Sequence, residues 1–348
     1  MILIRCNAGI RIGMGHLVRC RVLASVFKER GHECVLVGPP RELQQTQDEA
    51  LFQDWIEHPQ WDGDDSEAAF HLDLAKKFNS QHIMIDDYRS DYDHQLQLRQ
   101  SGIRIAQQYD ASRAKRFAAQ VVINSSPAER RETYEAGFYS QDIITMHGPK
   151  YSVLRREFLA TEIPQPRPEL GRVLVTFGGG DDLGAVDFTL QSLSDWLPTS
   201  ITFVIVLGKH NPNVESIREW IAEQDKKDQF ELHVNAMNMS EIMASCDLAI
   251  MGGGTGTFEA AYCGLPMVLI AIAENQYKQC QGWEELKVAK YLGPFGTVAK
   301  EQLIGCLQVL QSEPETRIAM SKQARKQVDG RGVDRLVSAL LNDGIQTG

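Results

Sequence analysis

A histidine follows a glycine turn near the start of the chain, where the first helix is predicted to begin. The turn is Gly13-Met14-Gly15, and His16 comes directly after it. Glycine lets a backbone approach a ligand closely, and the positive end of a helix dipole disfavours the protonated imidazole. A neutral imidazole near pH 7 is what a general base needs. The spacing equally fits a surface histidine after a structural turn, and it is not the GxGxxG dinucleotide fingerprint.

A second glycine-rich turn, Gly252-Gly253-Gly254-Thr255, follows an apolar run in the other half of the chain. Three glycines after a strand and a threonine before a helix form a nest of backbone N–H groups, which suits a diphosphate without lysine or metal. Glu259 lies about one helical turn further on, where its carboxylate can accept hydrogen bonds from a ribose diol. A plain tight turn explains the glycines but not Glu259, so a binding role is favoured.

A third turn covers residues 178–182 and has the sequence GGGDD. It fits a second phosphate or sugar contact, and it fits a plain turn equally well. The acidic pairs at 86–87, 181–182 and 64–65 have no histidine at metal-ligand spacing, and such pairs are usually solvated. We therefore predict no metal site. The sequence contains no GxSxG, HExxH or Walker A motif.

These turns follow strand-like runs, and the chain repeats the order strand, glycine turn, helix. Apolar residues recur on one helical face from His16 to Arg30, and Gly31 supplies a helix end. This alternation predicts parallel sheets covered by helices on both faces. Segments 41–80 and 125–150 are too polar to assign. The predicted strands are Ile2–Cys6, Cys34–Gly38, Ile83–Ile85, Ile103–Ala106, Val121–Ile123, Val173–Phe177, Ile201–Leu207, Phe230–Val234, Leu248–Met251 and Met267–Ile272.

The segment Thr161–Leu170 interrupts this pattern. It has the sequence TEIPQPRPEL, and its three prolines disfavour a helix and stiffen the chain. The strand, turn and helix pattern restarts directly after it, so the sequence predicts two doubly wound α/β domains, 1–165 and 166–348. We expect them to face a central cleft at the carboxyl ends of their strands. A single large α/β domain with an exposed proline loop is the alternative.

The 348 residues carry 36 basic and 46 acidic side chains, a formal net charge of −10. An acidic surface repels phosphate backbones and anionic lipids, which argues against nucleic-acid or membrane binding as the main activity. No run of 18 apolar residues predicts a membrane span, and the N-terminus lacks the pattern of a signal peptide. The seven cysteines contain no CxxC pair and are expected to be reduced thiols. We therefore expect a cytoplasmic protein.

Several of these motifs together resemble one family, the UDP-2,4-diacetamido-2,4,6-trideoxy-β-L-altropyranose hydrolases (PseG) of pseudaminic acid biosynthesis, in the GT-B superfamily. The resemblance covers essentially the whole chain. The family patterns I-G-x-G-H-x-x-R and G-P-x-Y-x-x-L-R-x-E-F are present at residues 12–19 and 148–158. The other matching positions are Arg5, Ala8, Ile85-Asp86-Asp87-Tyr88, Gly178–Asp181, Gly252–Glu259 and Glu274-Asn275-Gln276.

The resemblance implies a GT-B fold and an enzyme without a cofactor, which releases UDP from a UDP-linked 2,4-diacetamido-2,4,6-trideoxy sugar. Water would attack the anomeric carbon, and His16 would activate it. It also implies that a C-terminal helix around Val333–Leu341 packs toward the first domain. The residues expected at the substrate sugar are Gly13, Gly15, Arg19, Tyr88, Asn124, Tyr151, Arg155, Asn275 and Gln276. Those expected at the nucleotide, in the second domain, are Gly179, Gly180, Met237, Gly253, Gly254, Thr255 and Glu259.

Four positions depart from the family pattern near the expected sugar pocket. Asn7 replaces an aspartate, Gly9 replaces a serine, Asp87 stands where a histidine is common, and Tyr109 replaces the first member of an aspartate pair. These departures bear on the identity of the sugar and on activity itself. They leave the fold and the UDP half of the site unchanged.

Two alternatives to the hydrolase therefore remain. One is a GT-B glycosyltransferase similar to MurG-type enzymes, which uses an alcohol in place of water. The other is a nucleotide-sugar binder without catalysis, because Asn7 cannot accept a proton as an aspartate does. Asn7 or Asp110 is expected to orient the His16 ring, and Asp87 or Asp110 is the alternative base. The sequence does not fix the oligomeric state.

Overall fold

Each half of the described chain folds around its own parallel sheet. The computed structural model describes residues 1–9, 14–109, 116–128, 143–194 and 196–343. These residues form two compact units, one of Met1–Arg155 with Gly330–Gly348 and one of Arg156–Asp329. The sequence places the boundary near residue 165 and assigns the C-terminal segment to the second domain. In the structure the chain returns to the first unit for its last helix.

The helices and strands alternate along the chain. The first unit begins with β1 (Ile2–Cys6), α1 (Gly15–Glu29), β2 (Cys34–Gly38), β3 (Asp54–Glu57), α2 (Asp64–Lys77), β4 (His82–Asp86), α3 (Tyr92–Gln100), β5 (Arg104–Gln108), β6 (Val121–Asn124) and β7 (Ile144–His147). The second contains α4 (Arg156–Ala160), β8 (Arg172–Thr176), α5 (Ala185–Leu193), β9 (Thr202–Leu207), α6 (Val214–Ala222), β10 (Phe230–Val234), α7 (Met239–Ser245), β11 (Leu248–Met251), α8 (Gly256–Tyr262), β12 (Met267–Ala271), α9 (Tyr277–Glu285), β13 (Ala289–Pro294), α10 (Lys300–Ser312) and α11 (Pro314–Gln327). The last helix, α12 (Gly332–Leu341), belongs to the first unit.

The sheet of the first unit has the strand order β3-β2-β1-β4-β5-β6-β7 in the described residues, with parallel neighbours throughout. Every residue of β1 and β2 is buried, as expected for central strands of a parallel sheet covered on both faces. On one face, Ile2 and Ile4 of β1 pack with Leu17, Leu23 and Phe27 of α1. This packing fixes the start of α1 at the carboxyl end of β1.

The C-terminal helix α12 completes the core of the first unit, as the resemblance implies. Leu336 and Leu340 are fully buried in the cluster that contains β1 and α1. At the start of α12, a Cβ on Gly332 would overlap the carbonyl oxygen of Ser152. Only a glycine therefore lets the helix approach this segment so closely.

The sheet of the second unit has the strand order β10-β9-β8-β11-β12-β13 in the described residues, again with parallel neighbours. The central strands β8 and β9 bury Val173, Val175, Phe203 and Ile205 against the helices of this unit. A separate core in each unit agrees with the prediction of two doubly wound domains.

In both sheets the chain reverses its direction of growth beside the first strand of the unit. β1 lies between β2 and β4, and β8 lies between β9 and β11. Ligands of open α/β sheets bind at such a switch point, beyond the carboxyl ends of the strands. His16 follows β1, and the turns at 178–182 and 252–255 follow β8 and β11. The fold thus places the predicted site residues at the two switch points.

Two further sequence expectations concern membranes and cysteines. Among the described residues, no helix has both the length and the apolar character needed to cross a bilayer. All seven cysteines are thiols outside disulfides, and six of them are buried. They act as small core residues, which agrees with the prediction.

Candidate active site

The imidazole of His16 is held by the carboxylate of Asp86. His16 is the second residue of α1, and Asp86 is the last residue of β4. His16 Nδ1 lies 2.7 Å from Asp86 Oδ1. The Asp86 side chain is fully buried, whereas that of His16 keeps 15% of its surface exposed. The pair therefore has an inner carboxylate and an outer imidazole that a reactant can reach.

Arg19 fixes the same carboxylate from the next turn of α1. Its Nε donates to Asp86 Oδ2 at 3.0 Å and its Nη2 donates to Oδ1 at 2.9 Å. Burial on its own raises the pKa of Asp86, but the charge of Arg19 and the hydrogen bonds from His16 and Arg19 outweigh it and lower the pKa to about 2. Asp86 is therefore ionised at neutral pH. Arg19, expected at the sugar, binds this carboxylate.

The charge on Asp86 decides which His16 nitrogen carries the proton. An ionised carboxylate only accepts hydrogen bonds, so His16 Nδ1 donates to Asp86. In the neutral imidazole, Nε2 then keeps the lone pair, which is the arrangement of the histidine and aspartate in serine proteases. The sequence predicts Asn7 or Asp110 as the residue that orients this ring. The structure gives that role to Asp86, while Asp110 and Gly13 lie outside the described residues.

An aromatic ring contacts the imidazole of this pair. The Tyr88 ring meets the His16 ring edge to face, with 5.0 Å between centroids. Tyr109 in turn contacts Tyr88 at 5.6 Å. Tyr88, predicted at the sugar, therefore lies beside the proposed base, and the departure at Tyr109 adds a second ring behind it.

Asp87 is not available as a base in this structure. It is fully buried and accepts hydrogen bonds from Arg5 Nε at 3.1 Å and from Arg89 Nε and Nη2 at 3.0 and 2.8 Å. Burial acts to raise the pKa of Asp87, but the hydrogen bonds and charges of Arg89 and Arg5 lower it. The expectation that the 86–87 pair is solvated is therefore wrong, since each carboxylate is buried against arginine.

Other residues expected at the sugar have packing or turn roles here. Asn124 ends β6 and is 2% exposed, and its Oδ1 accepts the N–H of Ser126 at 3.0 Å. Tyr151 packs against the first unit's core, and the guanidinium of Arg335 in α12 lies 6.0 Å from its ring. The motif at 148–158 thus contacts α12. The first segment of the first unit ends within this motif, at Arg155.

In the second unit, the glycine loop after β11 is fixed by a glutamine. Gln276 Oε1 accepts the N–H of Gly253 at 3.0 Å and the N–H of Ile272 at 3.0 Å. The N–H of Gly253 therefore already donates to Gln276, whereas the sequence predicts that Gly253 contacts the nucleotide. Gln276, expected at the sugar, shapes this loop instead. Asn275 beside it is exposed.

The outer part of the same loop keeps donors available. Gln279 Nε2 donates to the carbonyl oxygens of Gly253 and Gly254 at 2.8 and 2.9 Å, which holds the loop against α9. The N–H groups of Gly254 and Thr255 donate to no acceptor in the described part of the chain, and both residues are exposed. Since α8 has only seven residues, these loop N–H groups, more than a helix dipole, are the donors that an anion would meet.

The remaining predicted nucleotide residues lie at the same edge of the second sheet or near it. Glu259 is half-buried in α8. Gly179 and Gly180 are exposed after β8, and the turn that contains them is fixed where Asn211 Nδ2 donates to Asp182 Oδ2 at 2.9 Å. Asp182 is 1% exposed, so this acidic pair is not fully solvated either.

Met237, the weaker candidate for a uracil pocket, follows β10 and is 84% exposed.

Asp86 is the residue that sequence reasoning missed. A signal for it exists, because Asp86 ends an apolar strand and stands two residues before Tyr88 in the motif Ile85-Asp86-Asp87-Tyr88. The strand order that brings it to His16 is not visible in the sequence.

The second half of the chain is similar to a known glycosyltransferase domain. Residues 173–336 match the family model described as glycosyltransferase family 28 C-terminal domain. The matched residues lie mostly in the second unit and end within α12. The match contains the loops after β8 and β11 and the predicted ribose ligand Glu259.

Two curated relatives match about half of the chain. One is the spore coat polysaccharide biosynthesis protein SpsG of Bacillus subtilis, 29% identical over 199 residues, which are 56% of this chain and 57% of that protein. The other is the UDP-N-acetylglucosamine--N-acetylmuramyl-(pentapeptide) pyrophosphoryl-undecaprenol N-acetylglucosamine transferase of Microcystis aeruginosa, 28% identical over 203 residues, 54% of this chain and 52% of that one. The chain thus spans about half the length of the curated relatives it matches.

Solved structures show the same fold over the full length. MurG of Acinetobacter baumannii aligns with a TM-score of 0.67 at 14% identity, covering 98% of this chain and 99% of that chain. A UDP co-structure of MnaA from S. aureus aligns with a TM-score of 0.61 at 12% identity, covering 98% and 96%. The chain has the GT-B fold. At these identities the matches show the fold alone.

Proposed function

We propose that this protein is a glycosyltransferase-like enzyme that binds a UDP-sugar and transfers the sugar to an acceptor hydroxyl, with His16 as the general base. The family 28 domain and the relatives named for polysaccharide biosynthesis and N-acetylglucosamine transfer support this reaction class. They favour sugar transfer, which the sequence allows as an alternative, over the hydrolysis that the sequence resemblance predicts first.

The observation that carries the proposal is the hydrogen bond between His16 Nδ1 and Asp86 Oδ1. With the proton on Nδ1, the lone pair of a neutral imidazole is on Nε2, and this nitrogen would take the proton of the acceptor hydroxyl. The acceptor oxygen then bonds to the anomeric carbon as the bond from that carbon to the diphosphate oxygen breaks, and UDP leaves. Asp86 stabilises the imidazolium that forms, and Arg19 keeps Asp86 ionised.

The nucleotide half of the proposal concerns the second unit alone. The exposed N–H groups of Gly254 and Thr255 would bind diphosphate oxygens. Glu259, one turn into α8, would accept hydrogen bonds from the ribose hydroxyls. Gln276 and Gln279 hold the loop in place before any ligand arrives, which reduces the entropy lost on binding.

Hydrolysis is the second candidate, and a specific observation favours it. The N-terminal motif at residues 12–19 and the stretch at 148–158 resemble the UDP-sugar hydrolase family. His16, held by Asp86, would take a proton from water just as it would take one from the hydroxyl of an acceptor alcohol. A UDP-linked 2,4-diacetamido-2,4,6-trideoxy sugar is the substrate expected under this candidate.

Release of UDP distinguishes the two candidates. The purified protein is incubated with a panel of UDP-sugars, with and without acceptor alcohols, and UDP is quantified; the variant His16→Ala serves as the control. Release only with an acceptor supports transfer, and equal release without one supports hydrolysis. Binding of UDP-sugars with no release in either case would show a binder without catalysis and overturn the proposal.

A further inference from the structure

Three side chains that can ligate a metal ion converge between the end of β3 and the first turn of α2. They are His58, Asp62 and Glu67, and one ligand atom of each lies within 4.8 Å of the others. His58 Nε2 is 2.8 Å from Glu67 Oε1, and the backbone N–H of Asp62 donates to the same oxygen at 3.1 Å. We call these three residues the His58–Glu67 site.

The second carboxylate oxygen of Glu67 points to a missing ligand. The Glu67 side chain is fully buried, and its Oε2 has no hydrogen-bond partner among the described residues. His71 does not supply one, since its Nδ1 donates to the backbone carbonyl of Glu67 at 2.7 Å and lies 3.9 Å from Oε2. A buried carboxylate oxygen without a partner is costly, and a cation held by both oxygens of Glu67 would remove that cost.

The loop that carries His58 is held rigidly against this carboxylate. Arg5 donates to the carbonyl oxygens of His58 and Gln60 at 2.7 and 3.1 Å, and Arg89 donates to that of Pro59 at 3.0 Å. Three consecutive carbonyl groups are thus anchored. A preformed loop is what a metal site needs in order to bind with little loss of entropy.

Two arginines near a cation would oppose its binding if they were uncompensated. Asp87 binds both of them, with Arg5 Nε at 3.1 Å and Arg89 Nη2 at 2.8 Å from its Oδ2. The carboxylates of Asp62 and Glu67 then remain to balance a divalent ion. The Phe70 ring, 4.2 Å from the His58 ring between centroids, fixes the plane of the imidazole.

We propose that the His58–Glu67 site binds one divalent transition-metal ion of the zinc type, through an imidazole nitrogen and two carboxylates. Zinc uses these ligand types, and three protein ligands leave a fourth position for water. The ion replaces the hydrogen bond between His58 and Glu67 and ties the loop to α2. The sequence predicts no metal because its adjacent acidic pairs have no histidine at metal-ligand spacing, whereas these ligands are spaced H-x3-D-x4-E.

The test uses the full-length chain without an affinity tag, stripped with a chelator, and Zn²⁺ as the probe. Titration calorimetry gives stoichiometry and affinity, and Co²⁺ substitution reports the ligand field through its visible absorption. The variants are Asp62→Asn and Glu67→Gln. The matched control is Asp65→Asn, because Asp65 is an exposed carboxylate of the same helix start that contacts Gln97 instead of the site.

Wild type and Asp65→Asn are expected to bind one Zn²⁺ per chain, while Asp62→Asn weakens binding on the order of tenfold or more. Asp62 is exposed, so its replacement preserves the fold and decides the question even if Glu67→Gln fails to fold. Equal Zn²⁺ affinity of Asp62→Asn and Asp65→Asn would overturn the proposal. So would wild type that binds no Zn²⁺, or that gives no Co²⁺ absorption band.

Discussion

Asp86 and Asp87 are neighbours in the chain, yet their carboxylates bind different side chains. Asp86 receives His16 and Arg19, whereas Asp87 receives Arg5 and Arg89. Both side chains are fully buried. One carboxylate, at the end of β4, therefore serves the proposed base, and the other, directly after β4, secures a loop. The two carboxylates can therefore be tested separately.

Replacing Asp86 by Asn should lower turnover far more than it lowers substrate binding. The amide can donate to His16 Nδ1, which favours the tautomer with the proton on Nε2 and removes the base. We expect kcat to fall on the order of 10²–10⁴-fold with little change in KM. Asp87→Asn is the control. It leaves Arg5 and Arg89 without their carboxylate but does not touch His16, so a similar fall in kcat for Asp87→Asn would contradict the assignment.

Replacing His16 by Ala should remove the base and leave UDP binding intact. A positioned general base contributes about 10²–10⁴-fold in rate, and we expect UDP release to fall by that factor. UDP affinity, measured by calorimetry, should stay within about twofold because the nucleotide loop belongs to the other unit. His32→Ala is a matched control, since His32 is half-buried just after the same helix. Near-normal release by His16→Ala would exclude His16 from the mechanism.

Protonation of Asp86 should destabilise the folded protein as the pH falls from about 4 to about 2. Its pKa is lowered from 3.8 to about 2 in the folded protein, so the folded state binds the Asp86 proton less readily than the unfolded state. The resulting stability is present above pH 4 and is lost as the pH falls toward 2, about 2 kcal/mol in all. Urea unfolding of wild type and Asp86→Asn at several pH values measures it. A stability difference between the two proteins that does not shrink between pH 4 and pH 2 would refute this account.

The sequence predicts central strands better than edge strands, and the burial of each strand explains why. β1 and β2 are buried at every residue and form continuous apolar runs. The strands β3, β7 and β13, which the sequence does not predict, each lie at a sheet edge and bury one residue. None of these three strands contains more than two consecutive apolar side chains. The edge strand β10 also buries only one residue, yet it is predicted because Phe230, Leu232 and Val234 make three of its five residues apolar.

In the candidate site, the sequence predicts features that are local in the chain and misses contacts between distant residues. His16 can be predicted because the glycine turn before it is local in sequence. Its partner Asp86 is 70 residues away and reaches it only because β4 crosses back to lie beside β1. The contact of Gln276 with Gly253 likewise spans 23 residues. Both contacts follow from strand order, which one sequence does not reveal.

Replacing Glu259 by Ala should weaken UDP binding if its carboxylate holds the ribose. An unpaired ribose diol in the bound state costs roughly 1–3 kcal/mol, which calorimetry with UDP measures directly. Glu241→Ala is the control, because Glu241 is an exposed glutamate at the start of α7 in the same unit. UDP affinity that is the same for both variants would show that the ribose lies elsewhere.

The glycine loop of the second unit offers a matched pair of substitutions that tests its packing. A Cβ on Gly253 would overlap Cys280 Sγ and come within 3.0 Å of Gln276 Cβ, whereas a Cβ on Gly254 would meet nothing within 4 Å. Gly253→Ala should therefore lower the free energy of unfolding by about 1–3 kcal/mol, the usual cost of overpacking a filled core. Gly254→Ala should change it by less than about 0.5 kcal/mol, as for most exposed substitutions. Urea denaturation of the two variants and wild type decides the matter, and equal stability of the two would show that the loop is not packed against α9 as described.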